Sequence, residues 1–169
     1  MDIDPPSVFH QYLLQLTKLI DKIEDAEQGD STILDARLSA DMLPLIAHVR
    51  IAANMSLRAC CPLAGEDTLS FENNIKSFTG LRKQLSATSN YLAKLVDLGI
   101  TNTDNIIQDK AGLVDISLPA FEYLHCFALP NFYFHISMVY AIARQQGVKL
   151  SKGDFDGYHS YPPGFSWEK

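Results

Sequence analysis

The residues best suited to chemistry lie in the segment Phe127-Ala-Leu-Pro-Asn-Phe-Tyr-Phe-His135. Asn131 and His135 stand four positions apart, so on a helix both side chains project from one face. Met138 and Ile142 continue that face, which therefore points towards an apolar core. A buried polar group without a partner costs about 1–3 kcal/mol, so this pair must find hydrogen bonds, a ligand or a metal ion.

His48 is the second histidine that could belong to such a site. It lies one turn after Leu45, at the edge of an apolar helical stripe, and helix bundles build their sites from side chains on facing helices. His135 and His48 are therefore the candidate catalytic residues, because an imidazole exchanges protons near neutral pH. A metal ion held by the same residues would polarise a carbonyl group or acidify a bound water.

Each of these residues also has a purely structural interpretation. A core histidine such as His135 commonly donates to a backbone carbonyl, and Asn131, which follows Pro130, is well placed to cap a helix. His48 has Arg50 and Asn54 as neighbours, which suits a solvated surface. The sequence leaves these alternatives open.

Four long helical patterns would position these side chains. In each of them apolar residues recur with the helical period, and proline, glycine, aspartate and asparagine separate the stretches. Pro44 is expected in the first turn of the second helix, and Pro130 either kinks the last stretch or begins a new helix. The predicted stretches cover residues 6–28, 41–60, 71–99 and 119–146, with a shorter helical turn within 31–38.

The segment 100–118 breaks the helical rhythm and predicts a small hairpin or irregular excursion, with Asp109–Gly112 at its turn. The fold class expected is therefore all-α, an antiparallel four-helix bundle with this insertion before the last helix. Residues 1–157 form the predicted domain. Residues 158–169 form a tail whose aromatic residues, including Trp167, suggest that it docks on another surface.

Composition excludes several classes of function. The chain has 169 residues and a net charge of −6, so nucleic acids and anionic membrane surfaces are not expected partners, since phosphate binding relies on basic residues. The acidic start does not resemble a secretory signal, and no apolar run is expected to be long enough to cross a bilayer, because Pro130 and His135 interrupt the richest one. Three cysteines form no disulfide framework, which predicts a cytoplasmic protein.

The final helix is apolar almost all round its circumference, from Phe132 to Ile142. A helix without a polar face is buried on every side, either by other helices or by a second subunit. We therefore expect a homodimer.

Several segments together resemble one branch of the DinB/YfiT-like superfamily, a domain family of unknown function found in bacteria and fungi. The segments that carry the resemblance are Asp41-Met-Leu-Pro-Leu45, Phe127 to His135, Ala141-Ile-Ala-Arg144, Gly147-Val148 and Lys152-Gly-Asp-Phe155. The resemblance implies a four-helix bundle, often dimeric, with a cavity at one end.

In that superfamily the cavity commonly holds a divalent metal on three histidines, one on the second helix and two spaced by four residues on the last. His48 and His135 match two of these positions, and Asn131 stands at the third. The resemblance thus implies a metal site of His48, Asn131 and His135 for zinc, nickel or manganese. Because an amide oxygen is a weaker ligand than imidazole for zinc or nickel, such a site would bind weakly.

The resemblance also implies a small-molecule ligand in the cavity, with Asn131, Tyr12, Tyr133, Met138, Tyr140 and His125 as candidate substrate-binding residues. Ordinary core packing is the alternative interpretation of these aromatic side chains.

The function expected is an enzyme that transforms a small organic molecule by histidine acid–base or weak metal-assisted chemistry, as an isomerase, cyclase, dehydratase or thiol transferase. The alternative is a non-catalytic small-molecule-binding or stress-related dimer with a vestigial metal site. A third class, an interaction scaffold, depends only on the aromatic tail.

Overall fold

The structure is a computed structural model that describes residues 4–100, 104–162 and 165. The chain is mostly helical with one small hairpin, as the sequence predicted at that level. The long helices are α1 (Pro5–Ala26), α2 (Leu45–Leu63), α3 (Phe78–Leu98) and α5 (Leu129–Gln145). The shorter elements are a 3₁₀ turn (Ser31–Asp35), strands β1 (Ile106–Ala111) and β2 (Val114–Pro119), and helices α4 (Ala120–Glu122) and α6 (Lys152–Asp156).

The helices do not simply alternate in direction. Arg82 at the start of α3 bonds to Asp21 near the end of α1, so these two helices are antiparallel. Gln84 of α3 donates to Asn54 of α2 at 3.2 Å, and Tyr91, two turns further along α3, interacts electrostatically with Cys61, two turns further along α2. The two helices therefore run in the same direction. A parallel neighbour requires a long crossover, and residues 64–77 supply it, in contrast to the short antiparallel connections predicted.

Two helices begin later than the apolar pattern predicts. α2 starts at Leu45, with Pro44 as its extended N-cap rather than in its first turn. The α3 helix starts only at Phe78, because the side chain of Ser77 accepts a hydrogen bond from the Gly80 N–H. The preceding crossover folds back against this turn, where a Cβ on Gly80 would collide with the Ile75 carbonyl. Apolar residues keep the helical spacing through the crossover, so the sequence pattern wrongly predicted helix there.

The hairpin is real, but its turn lies further along the chain than predicted. β1 and β2 pair antiparallel from Ile106 opposite Pro119 to Ala111 opposite Val114. The turn is therefore Gly112–Leu113, and Asp109 lies within β1. Gly112 has a φ of +63°, a conformation that glycine adopts without strain and that two-residue hairpin turns require.

Pro130 neither ends the last helix nor begins a separate one. Residues Ala120–Gln145 form one continuous helix in which Tyr123–Ala128, between α4 and α5, is π-helical. Proline lacks an N–H and its ring crowds the carbonyl one turn earlier. A π segment immediately before Pro130 widens that turn and so keeps the helix continuous.

The continuous helix Ala120–Gln145 contradicts the expectation that no apolar stretch is long enough to cross a bilayer. By length and composition it could cross a membrane, because one window of 18 residues has a mean hydropathy of 1.3. The same test is passed by core helices of globular proteins, and 44% of that window is buried inside the protein. The property is weak evidence for a membrane span.

The start of the tail packs against the helices. Gln11 of α1 donates to the Tyr158 hydroxyl at 2.6 Å, and Asp156 accepts from His159 Nδ1 at 2.5 Å. The rings of Tyr161 and Phe165 stack with centroids 4.9 Å apart. Trp167, on which part of the docking hypothesis rests, lies outside the described residues.

A partly buried polar cluster attaches the hairpin to the helices. Arg58 of α2 donates to both carboxylate oxygens of Asp109 on β1, and the Tyr123 hydroxyl of the π segment donates to the same carboxylate at 2.6 Å. Burial would raise the pKa of Asp109, but the hydrogen bonds from Arg58 and Tyr123 outweigh it and lower that pKa. Tyr123 itself is fully buried.

Replacing Tyr123 by phenylalanine should therefore loosen the hairpin without unfolding the helices. The substitution removes one charge-assisted hydrogen bond, and we expect the free energy of local opening of the hairpin to fall by about 1.5–3 kcal/mol. Faster amide hydrogen exchange in β1 and β2, with α1 and α3 unchanged, would show the local effect. Unchanged exchange in the hairpin would contradict the anchoring role.

Candidate functional site

His48 and His135 meet in the interior, between α2 and α5. The Nδ1 atoms of the two rings are 2.9 Å apart, at hydrogen-bond distance. His48 is 2% exposed and His135 is 8% exposed. The two histidines that the sequence selected from separate helices are thus one buried pair.

The local sequence explains why the helices approach closely here. On α2 the residue one turn after His48 is Ala52, which is fully buried and whose small side chain lets α5 come near. On α5 the next turn after His135 presents Met138 and Val139, both buried. Because apolar side chains hold the two helices together on either side, the imidazoles are held against each other rather than in water.

Both rings are neutral near pH 7. Burial lowers the pKa of His48, and the backbone of Leu43 offsets this only in part. Burial and the neighbouring His48 lower the pKa of His135 to about 4. In a pair of neutral imidazoles one Nδ1 carries a proton and donates it, and the other Nδ1 accepts it.

The hydrogen bond between the two Nδ1 atoms determines whether the Nε2 atom of each ring is a hydrogen-bond donor or an acceptor. If His48 donates, the Nε2 of His135 carries a proton and is a hydrogen-bond donor. If His135 donates, its Nε2 has a free lone pair and is an acceptor. The Nε2 of His48 is buried and has no hydrogen-bond partner among the residues that the structure describes. The pair can therefore present either a donor or a base to a ligand at His135.

Phe134 covers the pair, and the sequence analysis missed it. Its ring meets those of His135 and His48 with centroids 5.2 and 6.1 Å away, at interplanar angles of 82° and 64°. The side chain is nevertheless 52% exposed. An aromatic residue beside a histidine inside an apolar run looks like ordinary core. The signal that distinguishes it is its position on the helix, which places it outside the buried stripe.

Asn131 is engaged with its own helix. Its Nδ2 donates to the Phe127 carbonyl at 2.7 Å, one turn earlier and beside Pro130, whose missing N–H disturbs the backbone pattern there. The role of Asn131 is therefore structural, but the predicted helix cap is wrong, because the helix continues through this residue and the amide bonds to the backbone rather than to the histidines.

The other predicted ligand-binding residues are distributed around the helices. Met138 follows His135 on the same buried face. Tyr12 and Tyr133 contact each other edge to face at 4.9 Å between α1 and α5. Tyr140 donates to the Leu150 carbonyl at 3.3 Å.

His125 is exposed, and its ring packs against that of Phe121 with centroids 4.2 Å apart. It precedes His135 by ten residues, about 15 Å along a helix. The structure therefore does not bring His125 to the histidine pair.

The residues do not form a strong metal site. Catalytic zinc sites use three protein ligands, and in the described part of the chain no group of three histidine, cysteine, aspartate or glutamate side chains could hold a metal ion. The Nδ1 atoms of His48 and His135 are directed at each other, and Asn131 bonds to the backbone. This donor set does not fit the three-ligand centre that the superfamily implies.

Comparisons with known proteins agree on the fold and leave the chemistry open. The model of a domain of unknown function, DUF1993, matches residues 6–156. The crystal structure of a DinB family member protein from Shewanella denitrificans is similar, with a TM-score of 0.77 and 27% identity over 93% of this chain and 92% of that chain. No curated protein matches the chain. The DinB-like resemblance read from the sequence is confirmed.

The lowered pKa values of His48 and His135 predict that the folded protein loses stability at acidic pH. Because the folded pKa of His135, about 4, lies below the unfolded value near 6.5, the unfolded chain binds more protons between these values. Stability is then complete above about pH 6.5 and falls as the pH decreases towards 4, by on the order of 2–3 kcal/mol. The test is urea unfolding at pH 7.5 and pH 5.

The variant His135→Gln should lose much of this pH dependence, whereas the control His10→Gln should keep it. His10 lies half-buried on α1 and outside the pair. Equal slopes of stability against pH in the wild type and in His135→Gln would contradict the assignment.

Proposed function

We propose that this chain, which belongs to the DUF1993 family of DinB-like domains of unknown function, is an enzyme that uses the His48–His135 pair for acid–base chemistry on a small molecule. The observation that carries the proposal is the Nδ1–Nδ1 hydrogen bond between two buried, neutral imidazoles. The contacts among the four long helices support the bundle architecture in which such a pair faces the interior.

The pair would act through His135, which keeps more exposed surface than His48. With a proton on Nε2, a neutral imidazole polarises a carbonyl group by donating a hydrogen bond, as neutral histidines do in other enzymes. In the other tautomer Nε2 has a lone pair, and His135 instead accepts a proton from a carbon beside a carbonyl group, while the electron pair of the C–H bond moves onto the carbonyl oxygen to form an enolate. The positive charge that results is shared with His48 through the Nδ1 hydrogen bond, and the proton is then returned to the ligand.

The chemistry of the pair selects the ligand. A charged ligand would lose its hydration on entering this apolar setting, and two neutral imidazoles would not compensate that cost. The ligand class is therefore a neutral organic molecule with a carbonyl or hydroxyl group. Isomerisation, cyclisation, dehydration and thiol transfer all need such proton movements, and we propose them as the reaction types of a cytoplasmic, homodimeric protein.

A second candidate, a non-catalytic small-molecule-binding dimer, is favoured by two specific observations. Asn131 occupies the third ligand position of the superfamily and bonds to the Phe127 carbonyl. A pKa of about 4 also makes His135 a weak base at neutral pH. In this case the same donor and acceptor nitrogens orient a ligand without a proton transfer.

Exchange of protons beside a carbonyl distinguishes the two candidates. We expect the wild type to accelerate deuterium incorporation into members of a panel of neutral cyclic ketones in deuterated water, followed by NMR. Loss of the base in His135→Ala should slow this by about 10²–10³-fold, and His10→Ala should keep the wild-type rate. Circular dichroism checks that both variants fold. Buffer-rate exchange for the whole panel with wild-type protein would contradict the enzyme.

The donor set also predicts little bound metal. With two imidazoles that bond to each other and one amide, we expect untagged protein to contain less than about a tenth of an equivalent of zinc, nickel or manganese. Elemental analysis of protein purified without chelators measures this. A stoichiometric amount that is lost in His48→Ala would contradict the metal-independent proposal.

A further inference from the structure

We propose that Phe134 is the movable cover of the histidine pair and that its rotation admits a ligand to His135. This inference rests on the proposed function of the pair, and it names the side chain that controls access to it.

The position of Phe134 is that of a cover. Its ring lies edge to face against both imidazoles, with centroids 5.2 Å from His135 and 6.1 Å from His48. Phe134 is thus the one exposed side chain that borders both buried imidazoles. Such ring contacts are individually weak.

The surroundings of Phe134 allow it to move, in contrast to its neighbour on the helix. Phe132 is fully buried and packs against Phe9 with centroids 4.7 Å apart. In the part of the chain that the structure describes, about half of the Phe134 side chain is exposed, so its rotamer is less tightly packed than that of Phe132. Exposed side chains change rotamer in picoseconds to nanoseconds, which is fast enough to admit a small molecule without opening the helices.

The cover also explains how two polar rings remain dry at the edge of the core. In its inward position the phenyl ring excludes water from the pair. When it rotates outward, His135 gains access to solvent or ligand, while His48 stays behind it on α2. The residue therefore decides both when the pair is accessible and which ring a ligand meets first.

The test is the reaction of individual histidines with diethyl pyrocarbonate, followed by mass spectrometry of peptides from the full chain. In Phe134→Ala we expect His135 to react faster by on the order of tenfold, whereas Phe134→Tyr, which keeps the ring, should react like the wild type. Phe134→Leu gives an intermediate variant if removal of the whole side chain affects folding.

A matched control is available in the same helix. Phe121 is exposed and lies against His125, so Phe121→Ala should change the reactivity of His125 and leave His135 unchanged. An unchanged rate for His135 in both Phe134→Ala and Phe134→Leu would overturn the proposal. Protection of His135 that disappears on dilution of the wild type would also overturn it, because a second copy would then be the cover.

The reactivity test of Phe134 can succeed or fail independently of the deuterium-exchange test of the proposed function. If no ketone exchanges deuterium, the enzyme proposal fails, whereas the reactivity of His135 still decides whether Phe134 controls access to the pair.

Discussion

The hydrogen bond between the Nδ1 atoms of His48 and His135 is the constraint on which the candidate site depends. Two polar rings are buried at the seam of α2 and α5, and their Nδ1 atoms satisfy each other at 2.9 Å. Since neither ring could be protonated there without a large desolvation cost, the fold keeps both neutral. The same bond that stabilises the two helices against each other also fixes what His135 can offer to a ligand.

A second constraint, at Pro130, sets where His135 lies. The helix continues through this proline because a π segment precedes it, and the Tyr123 hydroxyl in that segment bonds to Asp109 on the hairpin. The hairpin is thus part of the support of the last helix. A shift in the π segment would rotate α5 and move His135 away from His48, which connects the insertion to the site.

The sequence predicted the helices and the two histidines because helical periodicity and spacing report directly on faces. It failed where local pattern and tertiary structure differ. The apolar positions Phe71 and Ile75 belong to a crossover that only the capping by Ser77 separates from α3. The parallel arrangement of α2 and α3, and the cover formed by Phe134, depend on contacts between distant segments. Spacing along one helix contains no information about them.

Nitrogen-15 NMR of the histidine side chains at pH 7 shows whether two neutral imidazoles share the proton between their Nδ1 atoms. We expect His48 and His135 each to carry a single ring proton, with a scalar coupling across the Nδ1–H···Nδ1 hydrogen bond. Doubly protonated rings, or two rings that both carry their proton on Nε2 without such a coupling, would contradict it.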